Sequence, residues 1–169
     1  MSELRLNFTK PRTIPIDTRC LNRLATVIAR RAEAFHGAKW REVVIHLLSD
    51  REMEPINLAI VGHTGATDVI TQRYDTLPGE PDGLIGELFV DVEWALSHCP
   101  RRDNWSRAHE VLLYIAHGFD HLTGADDLTP EDRRRMRQRE MRGLRKLERE
   151  YPDFGFFTDC TSVQEKKGK

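Results

Sequence analysis

The sequence predicts an α+β domain, with a single mixed sheet of about four strands covered by helices. Strand-like segments dominate the first half of the chain and helix-like segments the second. The 169 residues, 39% hydrophobic and 31% charged, suit one globular domain with a core of its own. We therefore expect a single domain over residues 1–152, followed by a disordered tail over residues 153–169.

The first 48 residues predict two strands separated by a long helix. Residues 4–8 alternate apolar and polar side chains, which is the period of a half-buried strand. Residues 18–35 carry apolar side chains at helical spacing, with Asp17 or Thr18 as the N-cap and a glycine after the last turn. Residues 43–48, Val-Val-Ile-His-Leu-Leu, form an apolar run typical of a buried strand.

The middle of the chain predicts shorter elements. Residues 50–60 indicate a short helix, and residues 67–71 a short strand. Two prolines and two glycines make residues 76–83 a loop. Residues 86–91 predict another strand, which leads into a brief helix over residues 92–98.

Two further helices complete the domain. Residues 108–122 form a strongly apolar helix that stops at Gly124. Thr129 is a good N-cap and Pro130 a good first residue for a final charged helix that runs to about Tyr151.

Charge and cysteine content restrict the compartment and the partners. The net charge of −1 provides no global positive field, so affinity for phosphates has to come from a local patch. Cys20, Cys99 and Cys160 are far apart, which argues against a disulfide framework and for a reducing compartment. The N-terminus has no signal-like apolar run, and no stretch reaches the roughly 20 apolar residues of a membrane span. We expect a cytoplasmic protein with no membrane partner.

The apolar helix at residues 108–122 carries a metal-binding pattern. His117 and His121 are four residues apart, so their imidazoles lie on one helix face and reach the same point. Gly124 then allows a turn that can return Asp127 to that point as a third ligand. Two imidazoles and a carboxylate with one open position form a catalytic zinc shell. The sequence predicts one Zn²⁺ per chain on this central helix.

The spacing matches the metzincin pattern H-E-x-x-H-x-x-G-x-x-H, except that Gly118 replaces the glutamate and Asp127 the third histidine. The segment also resembles the signature H-G-x-L-H-L-x-G-Y-D-H of the YbeY family, in which glycine follows the first histidine. Asn57 followed by Thr-Asp-Val-Ile at 67–70 resembles another stretch of that family, and Gly-Glu-Leu-Phe-Val at 86–90 resembles its G-[DE]-I-x-I strand. The similarity extends over most of residues 4 to 150.

The resemblance implies a zinc-dependent, single-strand-specific endoribonuclease that acts in ribosomal RNA maturation and ribosome quality control. The implied partners are single-stranded RNA, small-subunit ribosomal RNA or the ribosome, and no DNA partner is expected. Two departures concern activity: Asp127 replaces the third histidine, and Val61 replaces an arginine that the family associates with substrate handling. The alternatives are a zinc-dependent hydrolase of peptides or small molecules, and a ribosome-associated zinc protein that has lost catalysis.

Asp120 is a candidate general base. At about 100° per residue, Asp120 and Gly118 flank the midpoint between the two histidines symmetrically. A solvated carboxylate, or a partner for a histidine N–H, is the alternative interpretation.

Phosphate contacts, in the absence of an arginine at position 61, have three candidate sources: His63, Arg73 and the basic final helix. The many arginines of that helix are also explained by a solvated face that they share with three glutamates, Glu140, Glu148 and Glu150.

Overall fold

The computed structural model describes residues 4–10, 13–101, 104–152 and 154–158, and within them it contains a four-stranded sheet and five helices. The predicted α+β class is confirmed. The elements in chain order are β1 (Arg5–Thr9), α1 (Thr18–His36), β2 (Trp40–Leu48), α2 (Asp50–Ile60), β3 (Val69–Tyr74), β4 (Leu84–Asp91), α3 (Val92–His98), α4 (Arg107–Leu122) and α5 (Pro130–Glu150).

The sheet has the strand order β1-β2-β4-β3 and is mixed, as predicted. β1, β2 and β4 are parallel, whereas β3 runs antiparallel to β4 at one edge. α1 provides the long crossover that a parallel pair of strands requires between β1 and β2. β3 begins two residues later than predicted, because the Asp68 carboxylate accepts the Val69 N–H at 2.8 Å and forms the turn before the strand.

The core lies between the sheet and the two helices α1 and α4. Leu88 of β4 and Ile45 of β2 are fully buried on the helix-covered face, and so are Leu112 and Phe119 of α4. Each large aliphatic side chain removed from water in this way stabilises the fold by about 1.5–3 kcal/mol. α4 is therefore held rigidly against the sheet, and it carries both predicted histidine ligands.

The helix ends follow the predicted capping residues. The Asp17 side chain accepts the Arg19 N–H at 2.9 Å, and Gly37 ends α1 with a left-handed φ of 67°. Thr129 accepts the Asp132 N–H at 3.1 Å and starts α5 one residue before Pro130. Within the described ranges, no helix combines the length and apolarity needed to span a membrane.

The packed part of the chain extends past residue 152. Phe156 is fully buried, and Phe157 forms an isolated bridge with Ile16. The Thr158 N–H donates to the Pro15 carbonyl at 2.9 Å. Residues 154–158 therefore belong to the domain, and the tail predicted from residue 153 is wrong for this segment. Residue 153, Cys160 and the other residues of 159–169 lie outside the described residues.

Candidate metal centre

The two histidines of α4 point their rings at each other. His117 and His121 are one helical turn apart, and their Nε2 atoms lie 2.9 Å from each other. The rings are nearly perpendicular, at 89°, with centroids 4.4 Å apart. Both side chains are about one quarter exposed, so the paired nitrogens stand at a surface that a ligand can reach.

A tight turn after α4 brings the predicted third residue to the histidines. Gly124 takes a left-handed φ of 92°, and its N–H donates to the His121 carbonyl at 2.9 Å. The Oδ1 atom of Asp127 then lies 3.9 Å from His121 Nε2. The ligand atoms of His117, His121 and Asp127 all fall within 4.8 Å of one another. The structure thus brings the three predicted ligands together.

The outer ring nitrogens of the two histidines determine where the protons are. Nδ1 of His117 lies 2.7 Å from Oε1 of Glu140, and Nδ1 of His121 lies 3.1 Å from the Ala125 carbonyl. A carboxylate and a carbonyl only accept, so in the neutral rings each Nδ1 carries the proton and each Nε2 a lone pair. Two such lone pairs that face each other at 2.9 Å repel unless a proton or a metal cation lies between them. This arrangement is suited to a shared metal ion.

The donor set fits a divalent metal of the zinc type. Tetrahedral zinc with nitrogen and oxygen ligands at about 2.0–2.1 Å places neighbouring donor atoms about 3.3 Å apart. The observed separations of 2.9 Å and 3.9 Å lie on either side of that value. Hydrogen bonds from the ligand histidines to a carboxylate and a carbonyl are also typical of metal sites.

The electrostatics of the cluster favour positive charge. Burial lowers the pKa of His117, but the hydrogen bond and the charge of Glu140, together with the carboxylates of Asp68 and Asp127, outweigh it. The net effect raises the pKa of His117 above its ordinary value. The same carboxylates also favour a metal cation, which would compete with the proton for Nε2.

Glu140 was misjudged from the sequence. Local charge predicts a solvated face of α5 for this residue, yet its side chain is only 1% exposed. Position 140 lies on the buried side of the helix, with Met136 and Leu144 one turn before and after it. That apolar spacing is the signal that would have identified Glu140, since a glutamate on such a stripe needs a partner.

Asp120 has partners other than the cluster. Its Oδ1 atom lies 2.9 Å from Nε2 of His36, and its Oδ2 atom accepts from Arg139 at 2.7 Å. The carboxylate is buried, and Arg139 in turn lies 4.3 Å above the ring of Phe35. Both oxygens are thus engaged in joining α4 to α1 and α5. These contacts give no support to the predicted role of Asp120 as a general base.

Gly118 allows α4 to approach the sheet closely. A β-carbon at this position would lie 2.4 Å from Cδ2 of Leu88 and 3.3 Å from Cγ2 of Val69. Both distances are shorter than ordinary van der Waals contacts, so a larger residue requires the Leu88 side chain, the helix or the strand to move. The close packing of α4 on the sheet therefore explains the glycine after the first histidine.

Comparison with known proteins identifies the family. The family model described as Endoribonuclease YbeY matches residues 7–148, which is most of the chain. The chain belongs to this family.

Two relatives named Endoribonuclease YbeY show the extent of the similarity. The protein of Rhodopirellula baltica is 33% identical over 137 residues, 79% of this chain and 69% of that protein. The protein of an Anaeromyxobacter species is 31% identical over 139 residues, 81% and 68% of the two chains. A solution structure of a Thermotoga maritima protein covers 95% of this chain and 99% of its own at 18% identity, with a TM-score of 0.59, and shows the same fold. The predicted family resemblance is confirmed.

The region around Val61 matters because the sequence departs there from the YbeY pattern. The Asn57 amide donates to the Gly65 carbonyl at 2.9 Å and fixes the loop that follows α2. Val61 ends that helix and is 47% exposed, so an apolar side chain stands at the position where the sequence resemblance implies an arginine. Position 61 therefore carries no positive charge.

The other residues predicted to contact phosphate differ in whether they lie near the metal cluster. A β-carbon on Gly124 would lie 3.8 Å from Nη1 of Arg73, so Arg73 lies beside the turn between His121 and Asp127. Arg137 reaches Glu140, whereas Arg134 faces Glu131 at 4.0 Å. His63 is exposed and is not part of the metal-type cluster found among the described residues.

Proposed function

We propose that this protein is a zinc-dependent endoribonuclease that cleaves single-stranded RNA, with one Zn²⁺ held by His117, His121 and Asp127. The observation that carries the proposal is the pair of Nε2 atoms 2.9 Å apart, each on a ring whose Nδ1 is already engaged. Membership of a family described as endoribonucleases supports RNA as the substrate. Such a protein would act in the cytoplasm on small-subunit ribosomal RNA or the ribosome, in maturation and quality control.

The chain's own groups define how the site would work. Zinc, when bound, supplies Lewis acidity that polarises a phosphoryl oxygen and makes water more acidic. Glu140 fixes the ring orientation of His117, and the Ala125 carbonyl fixes that of His121. Asp127 adds a negative ligand, so the site is less positive than one with three neutral histidines. Both histidines are partly exposed, which leaves room for a substrate to approach.

A peptide hydrolase is the less favoured alternative. The H-E-x-x-H zinc proteases take their general base from the residue after the first histidine. Here that residue is Gly118, and a side chain at this position would collide with Leu88. The structure therefore has no room for a carboxylate at the position where those proteases hold one.

A protein that keeps the metal but has lost catalysis is favoured by one observation. Val61 is exposed and apolar at the place of the family arginine, so one cation expected near the substrate is missing. A noncatalytic form would still bind zinc and RNA or ribosomes, but it would leave the RNA intact.

One assay separates the three functions. Full-length protein, His121→Ala and the control His98→Ala are incubated with labelled single-stranded RNA, double-stranded RNA and a peptide panel, with and without chelator. His98 is exposed and packs on Trp94, away from the cluster. We expect cleavage of single-stranded RNA that chelator and His121→Ala abolish and His98→Ala retains. Peptide cleavage alone would favour the hydrolase, and stoichiometric zinc without any cleavage would favour the noncatalytic form.

A further inference from the structure

Three arginines lie around the metal cluster, each beside a different residue of the site. Arg73 projects from β3, the edge strand of the sheet, while Arg133 and Arg137 project from α5. The two elements approach the cluster from different directions, because α4 packs against both β3 and α5.

Arg73 stands at the turn between two of the ligands. It is paired with Gly86 of β4, and its Nη1 would lie 3.8 Å from a β-carbon placed on Gly124. Gly124 is the residue that turns the chain between His121 and Asp127. In the described part of the chain the Arg73 guanidinium has no ion pair or hydrogen bond, so its full charge is available to a ligand.

Arg133 and Arg137 are one helical turn apart on α5 and so lie on one face of that helix. Nε of Arg133 lies 3.7 Å from Oδ2 of Asp127, and Nη1 of Arg137 lies 3.8 Å from Oε2 of Glu140. Both distances exceed those of a close charge-assisted hydrogen bond. Nη2 of Arg133 also donates to the Asp127 carbonyl at 3.4 Å. The side chains are 67% and 57% exposed, so their remaining N–H groups can reach a ligand.

We propose that Arg73, Arg133 and Arg137 form one phosphate-binding surface, here called the arginine rim, which holds the backbone of single-stranded RNA across the metal cluster. The inference rests on the proposed function and specifies how that site binds its substrate. With a net charge of −1, the protein needs such a local concentration of cations to attract a polyanion. Guanidinium groups match phosphate oxygens in geometry as well as in charge. The rim supplies the positive charge that the exposed Val61 lacks.

Arg134 offers a matched control on the same helix. It is 68% exposed, like the rim arginines, but its nearest carboxylate is Glu131 at 4.0 Å, and it touches no residue of the cluster. Glutamine replaces each arginine in the variants, because it keeps the length of the stem and removes only the charge.

Binding and cleavage are measured separately on the zinc-loaded protein. A labelled 12-nucleotide single-stranded DNA, which an endoribonuclease leaves intact, reports phosphate contacts from 50 to 300 mM salt. The RNA of the same sequence reports kcat/KM. Each lost phosphate contact should reduce the salt slope by about 0.7, which corresponds to roughly fivefold weaker binding near 0.1 M salt. We expect this loss for Arg73→Gln, twice the slope change for Arg133→Gln/Arg137→Gln, and no change for Arg134→Gln.

The outcomes distinguish the rim from the proposed activity. If the parent cleaves RNA and the rim variants keep its affinity and salt slope, the rim is wrong and the nuclease stands. If the parent binds the oligonucleotide through the rim but cleaves no RNA, the rim stands and the proposed activity is wrong. A lower Tm for Arg73→Gln with unchanged binding would assign Arg73 to the stability of the α4 end and also overturn the rim.

Discussion

The hydrogen bond between Glu140 and His117 allows a quantitative test of the metal centre. Glu140→Leu removes the acceptor 2.7 Å from Nδ1 and leaves a partly buried ring N–H without this partner. Glu140→Gln keeps an acceptor of the same length but removes the charge that favours a cation. Loss of such an outer partner typically weakens metal affinity 10–100-fold, or about 1.4–2.7 kcal/mol. We expect the glutamine variant near the lower end and the leucine variant near the upper end.

The same numbers predict a shift in thermal stability. At a fixed saturating zinc concentration, a tenfold loss of affinity removes about 1.4 kcal/mol of stabilisation from the folded state. For a domain of this size, each kcal/mol changes Tm by about 2–4 °C. Glu140→Gln should therefore melt about 3–6 °C below the parent when zinc is present, and the difference should shrink when chelator is added.

Zinc affinity is measured by competition with a chromophoric chelator, and Tm by calorimetry in the same buffer. Glu148→Gln is the matched control, since Glu148 lies on the same helix but faces His109, at 3.4 Å, and not a ligand. Parent-like zinc affinity in Glu140→Leu would refute the reasoning. An equal loss in Glu148→Gln would show that the effect belongs to the helix as a whole.

Three further predictions concern the metal ligands, the close contact at Gly118 and the buried carboxyl of Asp91. Asp127→Ala should weaken zinc binding and Asp127→His should retain it, whereas His121→Ala should remove the zinc found by elemental analysis. Gly118→Ala forces a β-carbon against Leu88 and should lower the free energy of unfolding by about 1–3 kcal/mol in denaturant titrations. Burial, aided by neighbouring carboxylates, raises the pKa of Asp91 from 3.8 to about 7, so its proton stabilises the folded state below pH 4 and this effect is lost as the pH rises through 7. The free energy of unfolding should therefore fall more between pH 5 and pH 8 in the parent than in Asp91→Asn.

Local signals predicted the parts of the fold where the backbone conformation favours one residue type, such as glycine or proline. Gly37 ends α1 in the left-handed conformation that glycine favours, and Pro130 stands in the first turn of α5, where its missing N–H costs nothing. The order of the strands was not predictable in this way, because it depends on pairings between distant segments, such as Ile45 with Leu88. The burial of Phe156 was missed for the same reason, since its neighbours come from the other end of the chain.

In the candidate site, too, the residues close together in sequence were predictable and the distant ones were not. The ligands His117, His121 and Asp127 lie within eleven residues, so helical spacing and one glycine turn were sufficient to predict their approach. The partners of the site come from other elements: Glu140 from α5 and Arg73 from an edge strand. Local charge suggested a solvated face for Glu140, and only the tertiary packing of α5 on α4 reverses that interpretation.

The close contact at Gly118 also restricts how this protein can change during evolution. Zinc proteases with the His-x-x-x-His spacing hold a glutamate after the first histidine, and a single codon change converts glycine to glutamate. Here Gly118→Glu would drive its side chain against Leu88 and Val69, whose methyl groups lie 2.4 Å and 3.3 Å from a β-carbon at this position. Protease-type chemistry on this helix would therefore require these strand side chains to repack as well. A change of chemistry at position 118 thus depends on the strands beneath the helix as much as on the helix itself.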